Sequence, residues 1–259
     1  MATTEAARVE ESRFLFAPAG AGRAELEELL AAAEEALEIE VLLAKTGDNV
    51  VGELLKGTGT FYEWNHYPDG DVYDPETGGQ FYYHAHPADE RIGEHGHFHT
   101  FLRPAGMPDG VRPAPVPDLS LPEDENDALS HLAGISMDSY GKAICLFTVN
   151  RWVTGEVWYA AEDVIRMLDR FEITHTQPSW PVNRWLSALM RLYRMEIAQL
   201  LRDRDAVIAA WEKRPLPMDE DTGRPVSSVY ESRELEVTSF LRISVPERWQ
   251  ALRAALGES

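Results

Sequence analysis

The stretch that most restricts how this chain can fold is "QFYYHAHPADERIGEHGHFHTFLRP", positions 80 to 104, which places five histidines in the sixteen residues from His84 to His99. Side chains two apart on a β-strand share a face and lie roughly 6 to 7 Å apart at their Cα atoms. Strands over 80–86 and 95–102 would therefore sort this sequence by parity. Tyr82, His84 and His86 fall on one side, with Phe81, Tyr83 and Ala85 on the other. In the second strand His95, His97, His99 and Phe101 oppose Gly96, Phe98, Thr100 and Leu102. If the strands pair through the loop "PADERIGE", matching their apolar faces onto one core puts all five histidines on the opposite face.

Converging imidazoles suit Fe, Cu, Zn, Mn, Co or Ni, because no other abundant side chain combines a neutral donor nitrogen with a near-neutral pKa. His84, His86, His95, His97 and His99 are therefore the candidate ligands of a divalent transition metal, with iron or copper ahead of zinc. Three ligands would leave a coordination position for substrate. The other readings are a proton-handling cluster and a structural network of histidines bonded to carboxylates. His66, beside Glu63, Asp69, Asp71 and Asp74, is a weaker candidate, and His131 and His175 are isolated.

Around this stretch the pattern changes twice. "RAELEELLAAAEEALEIEVLLAKTG", from Arg23 to Gly47, carries Ala, Leu and Glu with apolar residues three and four apart, which predicts a helix closed by its glycine. A short helix follows, with Asp48 or Asn49 as its N-cap. Aromatic, β-favouring sequence with the turn pairs Asp69-Gly70 and Gly78-Gly79 then leads into the histidines. Six prolines between Arg103 and Asp127 predict a surface loop over 103–127 rather than a central strand or helix. "SHLAGISMD" and "GKAICLFTVNRWVTGEVWYA" read as antiparallel strands joined by a turn at "DSYGK". Helices over "AEDVIRMLDRFE" and from about Pro181 to Lys213, a strand in "ELEVTSFLRISV" and a helix at "PERWQALRAAL" complete the chain. This order predicts an α+β fold, with a mainly antiparallel sheet, open or barrel-like, N-terminal helices and a long C-terminal helix packed on it. The expectation is one domain over 1–259, with residues 1–22 as a partly flexible arm.

In "TVNRWVTGEVW" the residues Thr148, Asn150, Trp152, Thr154, Glu156 and Trp158 share one parity. If this strand joined the histidine sheet, Asn150 and Glu156, with Tyr82, would be orienting or proton-transfer groups. Trp152 and Trp158 would wall a pocket, and Arg151 would clamp a substrate carboxylate from a bulge or strand end. A plain aromatic and polar surface is the competing reading.

Composition narrows the partners. Forty-four acidic residues against 24 basic ones give a net charge of -20, which repels phosphate backbones and anionic lipid. Nucleic acid and membrane are therefore not expected partners, and a small molecule is. The single cysteine, Cys145, sits in an apolar run and excludes an intrachain disulfide. No apolar run approaches the ~18 residues of a membrane span, and the acidic start lacks a hydrophobic leader. A cytoplasmic location is expected, while the oligomeric state is left open.

"GGQFYYHAHPADERIGEHG" resembles the first metal motif of the cupin superfamily. Gly78, His84, His86 and Glu90 match its glycine, H-x-H pair and glutamate, and Gly96 falls one residue early for its closing glycine. The resemblance spans about twenty residues, and no second cupin motif follows; it implies a metal held by His84, His86 and Glu90. Over most of its length, including "HYPDGDVYDPETGGQFYYHAHP", "EHGHFHTFLRP" and "HLAGISMDSYGKAICLFTVNRWVTGEVW", the chain is similar to an uncharacterised bacterial family with a domain of unknown function. The functional expectation is a metal-dependent enzyme with oxygenase or oxidase chemistry on a small organic molecule. The alternatives are a zinc-dependent hydrolase and a non-catalytic metal-binding or sensing protein.

Overall fold

A meander of six antiparallel strands organises the computed structural model, which describes residues 9–13, 16, 20–87, 89–117, 119–219 and 222–258. The strands are β1 (Tyr67–Tyr73), β2 (Gly79–His84), β3 (Gly96–Leu102), β4 (Ser130–Met137), β5 (Ala143–Val149) and β6 (Val237–Arg242). They hydrogen-bond in chain order, so the sheet is open, with β1 and β6 as its edges. Around it are α1 (Arg23–Ala44), α2 (Val50–Leu54), α3 (Arg151–Thr154), α4 (Ala161–Leu168), α5 (Trp180–Leu192), α6 (Arg194–Trp211) and α7 (Val245–Leu256). The fold is α+β, as the sequence pattern predicts.

Local chemistry sets the boundaries. Asn49 rather than Asp48 caps α2, its Oδ1 accepting from the backbone of Val51 and Gly52 at 3.0 Å each. The Asp69-Gly70 pair lies inside β1 rather than at a turn. There the pairing with β2 shifts register between Tyr67 and Val72, and Gly70 and Asp71 take φ of 81° and 61°. An irregular stretch needs left-handed backbone, which glycine adopts without steric penalty. "DSYGK" is the expected turn: Asp138 Oδ1 accepts from the amides of Tyr140 and Lys142, at 2.8 and 2.9 Å.

The predicted helix from Pro181 to Lys213 is interrupted at Tyr193, whose φ of -106° and ψ of 18° separate α5 from α6. The break lets the two pieces serve different partners. α5 packs on α1, while α6 packs on α4, β5 and β6. Among the described residues of the proline-rich stretch between β3 and β4, the helical elements are short turns at Pro104–Gly106 and Glu125–Asp127. Ala114 nonetheless ties that stretch to the chain after β5, donating to the Trp158 carbonyl at 2.8 Å. Much of the arm expected over 1–22 lies outside the described residues; within them, the Ser12 amide donates to the Phe240 carbonyl of β6 at 2.8 Å.

One face of the sheet packs on helices. Phe81, Tyr83, Phe98, Leu102, Ala133, Ile135 and Leu146 share a buried cluster with Trp185, Leu186 and Leu189 of α5. Phe98 meets Trp185 with ring centroids 5.9 Å apart. Every residue of β2, β3 and β4 is buried, so the opposite face is also covered. That face carries the histidines.

Candidate metal centre

β2 and β3 pair with His84 opposite His97, Tyr82 opposite His99 and Phe81 opposite Thr100. Because the register brings like parity together, His84, His97 and His99 converge on the face turned from the helices. Their exposures are 9%, 0% and 1%. One ring nitrogen from each lies within 4.8 Å of the others, an arrangement that could hold a metal ion. Two nitrogens on one ion, at bonds of about 2.0 to 2.1 Å, are at most ~4.2 Å apart. The limit of 4.8 Å lies close to that span, while the His84 and His97 nitrogens at 2.6 Å would have to part to admit an ion.

The hydrogen bonds around the three rings fix their orientations. His97 Nδ1 lies 2.6 Å from Glu94 Oε1. Burial opposes ionisation of Glu94, yet the bond from His97, together with Ser136 and Arg91, holds its carboxyl below the usual range. A carboxylate only accepts, so His97 donates from Nδ1 and keeps its lone pair on Nε2. That Nε2 is 2.6 Å from His84 Nε2. His84 must then supply the proton between them, and an ion bound there would take that proton's place. His99 Nδ1 meets His131 Nε2 at 2.9 Å, whereas His99 Nε2 is buried with no hydrogen-bond partner. A buried nitrogen without a partner is costly unless something else occupies its lone pair.

Burial keeps these imidazoles neutral. It lowers His84 to about 2, helped by neighbouring His97, His86 and His66. His97 is lowered to about 4 by burial, against the opposing pull of Glu94. His131 falls to about 3 for the same reason, and His99 is held well below its ordinary value. Neutral imidazole is the form that binds metals.

The remaining expected ligands, His86 and His95, are engaged with other partners. His86 follows the end of β2; its Nδ1 lies 3.2 Å from Glu90 Oε2, and its ring is 5.1 Å from that of His84 and 5.2 Å from that of His97. His95 precedes β3 and turns away from the triad, with Nδ1 2.7 Å from the Tyr83 hydroxyl. Gly96 makes that possible, since a Cβ there would sit 2.4 Å from the same hydroxyl. His86 and Glu90 are thus bonded to each other, and the cupin-like spacing gathers a different set of residues from the one that motif implies.

Aromatic rings wall the triad. Tyr82 stacks on His66 at 3.6 Å and lies 5.1 Å from His99, and burial raises its hydroxyl well above the ordinary range. Phe147 meets His97 at 5.2 Å and His99 at 5.7 Å. It can do so because Gly134, its cross-strand partner, has no side chain; a Cβ at that position would be 2.2 Å from the Phe147 ring.

The strand expected through "TVNRWVTGEVW" ends at Val149. Asn150 Oδ1 accepts from the Arg151 amide at 2.9 Å and starts α3, and Gly155 closes the turn with φ of 63°. The parity argument for the residues beyond Val149 therefore fails. Asn150 Nδ2 donates to the Val229 carbonyl at 2.9 Å, Trp152 Nε1 donates to the Leu235 carbonyl at 2.9 Å, and Arg151 pairs with Glu231. Trp158 is buried under Arg204, 4.1 Å from its ring, in a separate apolar cluster with Ile208 and Trp211. Asn150, Arg151, Trp152 and Trp158 thus anchor the segment 229–235 and α6 instead of lining the histidines. Glu156 is different. Its Oε2 accepts from the His131 amide at 2.6 Å, and burial raises its carboxyl to about 7.

Sequence spacing missed Glu94 and undervalued His131. Glu94 stands three residues before His97 but in a loop, where parity has no meaning. His131 reaches His99 only through the pairing of β3 with β4, which shifts register between Thr100 and Phe101.

No described helix is long and apolar enough to cross a membrane. No curated protein and no solved structure matches the chain. The family described as "Domain of unknown function (DUF6969)" matches residues 30–243, and the chain belongs to that family.

Proposed function

We propose that the protein is a metal-dependent enzyme in which His84, His97 and His99 hold one divalent transition-metal ion that acts on a small organic molecule. The observation that carries this reading is the unpartnered Nε2 of fully buried His99, in a group where one ring nitrogen from each of His84, His97 and His99 lies within 4.8 Å of the others. Three neutral ligands leave the ion's charge undiminished and leave coordination positions for other molecules, which suits dioxygen chemistry on iron or copper. Support for a substrate comes from a cavity of about 730 Å³ on the same sheet face. Glu94, Ser136, Phe147, Cys145, Val237 and Phe240 are among its lining residues, so it reaches the triad at Glu94 and Phe147. Tyr82 forms a wall of the centre, and Glu156 acts on it as a positioning residue through His131.

Metal analysis of protein purified without a histidine tag tests the reading. About one equivalent of transition metal is expected, lost in His84→Ala and His97→Ala. Absence of stoichiometric metal from the wild type, with uptake unaffected by the two substitutions, would defeat the proposal. Nitric oxide or azide should then bind the iron or copper form and change its spectrum. A centre refusing every added ligand would be saturated and non-catalytic.

A further inference from the structure

The triad is enclosed, so an ion needs a way to reach it. Of the surface depressions that approach the cluster, two share Glu94, and a third reaches His66, 5.8 Å from the His84 ring, with Arg103 in its lining. The 730 Å³ cavity meets the cluster at Phe147 and Glu94, and its lining sets the guanidinium groups of Arg91 and Arg242 among Glu90, Glu94, Glu234 and Glu236. Arg91 lies over Phe147 itself, 5.3 Å from the ring centroid. At Phe147 an arriving cation meets an apolar ring under a guanidinium and finds no ligand.

The second depression is a groove of about 490 Å³ that includes Phe61, Tyr62, Glu63, His86, Glu94 and His95. Its lining holds two imidazoles and two carboxylates and no lysine or arginine. It ends at Glu94, the residue bonded to His97. His86 sits where the groove meets the cluster, one ring from both His84 and His97. Over it lies Trp64, 4.2 Å from the His86 ring and 54% exposed. The Trp64 backbone is held at φ 70°, and its amide donates to the Ala85 carbonyl at 2.9 Å. A left-handed backbone at a tryptophan is strained and persists where the surroundings impose it. Here it fixes the indole as a cover on His86.

We propose that this groove is the loading route for the metal, with His86 as a transient landing ligand that hands the ion to His84 and His97. The inference rests on the triad being the resident metal site. It gives the two histidines of the 84–99 stretch that lie outside the triad distinct work: His86 takes the ion from solvent, and His95 with Glu63 lines the approach. A cleft whose charged lining groups are carboxylates, here Glu63 and Glu94, raises the local concentration and capture rate of a cation by about tenfold to a thousandfold.

Stopped-flow loading of metal-free protein with cobalt(II), followed by the visible absorbance of the bound ion, tests it. In His86→Ala the final absorbance and the stoichiometry should match wild type, while the loading rate falls by about tenfold or more. Trp64→Ala, which uncovers His86 at an exposed position, should load faster to the same end point. An unchanged rate in both variants would overturn the route. A weaker end-point affinity in His86→Ala would also overturn it, because His86 would then be a resident ligand. If wild type takes up no cobalt and behaves as His84→Ala does, the triad itself is not a metal site; a cobalt-binding wild type with unaltered kinetics in the variants defeats the route alone.

Discussion

His84 and His97 face each other across neighbouring strands with their Nε2 atoms 2.6 Å apart, and His97 is fixed from behind by Glu94. One proton holds the two rings together, and a metal would compete for the same two lone pairs.

Removing the support of a ligand should weaken binding without abolishing it. His131→Phe keeps a ring of similar shape but deletes the nitrogen bonded to His99 Nδ1. Metal affinity, measured by competition with a chromophoric chelator, is expected to fall about 10- to 100-fold with stoichiometry unchanged. An affinity equal to wild type would mean that His99 needs no orienting partner.

The metal-free protein should lose stability as pH falls. His84, His131 and His97 titrate near 2, 3 and 4 when folded, against about 6.5 for an exposed histidine. Between those values the unfolded chain binds more protons, so stability is complete above about 6.5 and is withdrawn on acidification, by up to ~1.4 kcal/mol per pH unit for each histidine. Glu156, raised to about 7, works the other way between about 4.5 and 7, as one group against four lowered histidines, His99 included. Urea midpoints should therefore drop between pH 7.5 and 5, and less so in His84→Ala. A flat profile would show that these rings protonate freely in the folded state.

Gly134→Ala should strain the wall of the centre. Its methyl would collide with the Phe147 ring. Overpacking of this kind costs about 1 to 3 kcal/mol. Chemical denaturation should show that loss, and the double variant Gly134→Ala/Phe147→Leu should recover part of it. Two losses that simply add would mean the residues are not coupled.

Asn150→Ala separates structure from function. The change removes the cap of α3 and the donor to Val229. The expected cost is about 1 to 3 kcal/mol, with metal stoichiometry untouched. Metal loss in a variant that remains folded would place Asn150 back at the centre.

The histidine hairpin was legible because alternation is a period-two signal and Phe81, Tyr83, Phe98 and Leu102 demand one core. His95 was not, because Gly96 begins the strand and frees the preceding residue to turn toward Tyr83. "TVNRWVTGEVW" imitates the same alternation, but Asn150 and Gly155 act there as a helix cap and a left-handed stop, and a parity count is blind to both. Glu94 and His131 depend on loop shape and on a shifted register, and neither is written in local spacing. The α5–α6 break was hidden for a related reason: Tyr193 carries no glycine or proline to mark it.

All three triad ligands come from one hairpin whose strands are already zipped together by backbone hydrogen bonds. An ion at that position spans residues that are neighbours before it arrives, so it removes little loop-closure entropy from the chain. Its stabilising effect would come from occupancy alone and would scale with free metal relative to the dissociation constant. The scaffold should therefore stand without an ion: if the centre holds one, chelation should empty it and leave the sheet intact, unlike a zinc finger, whose fold depends on its metal.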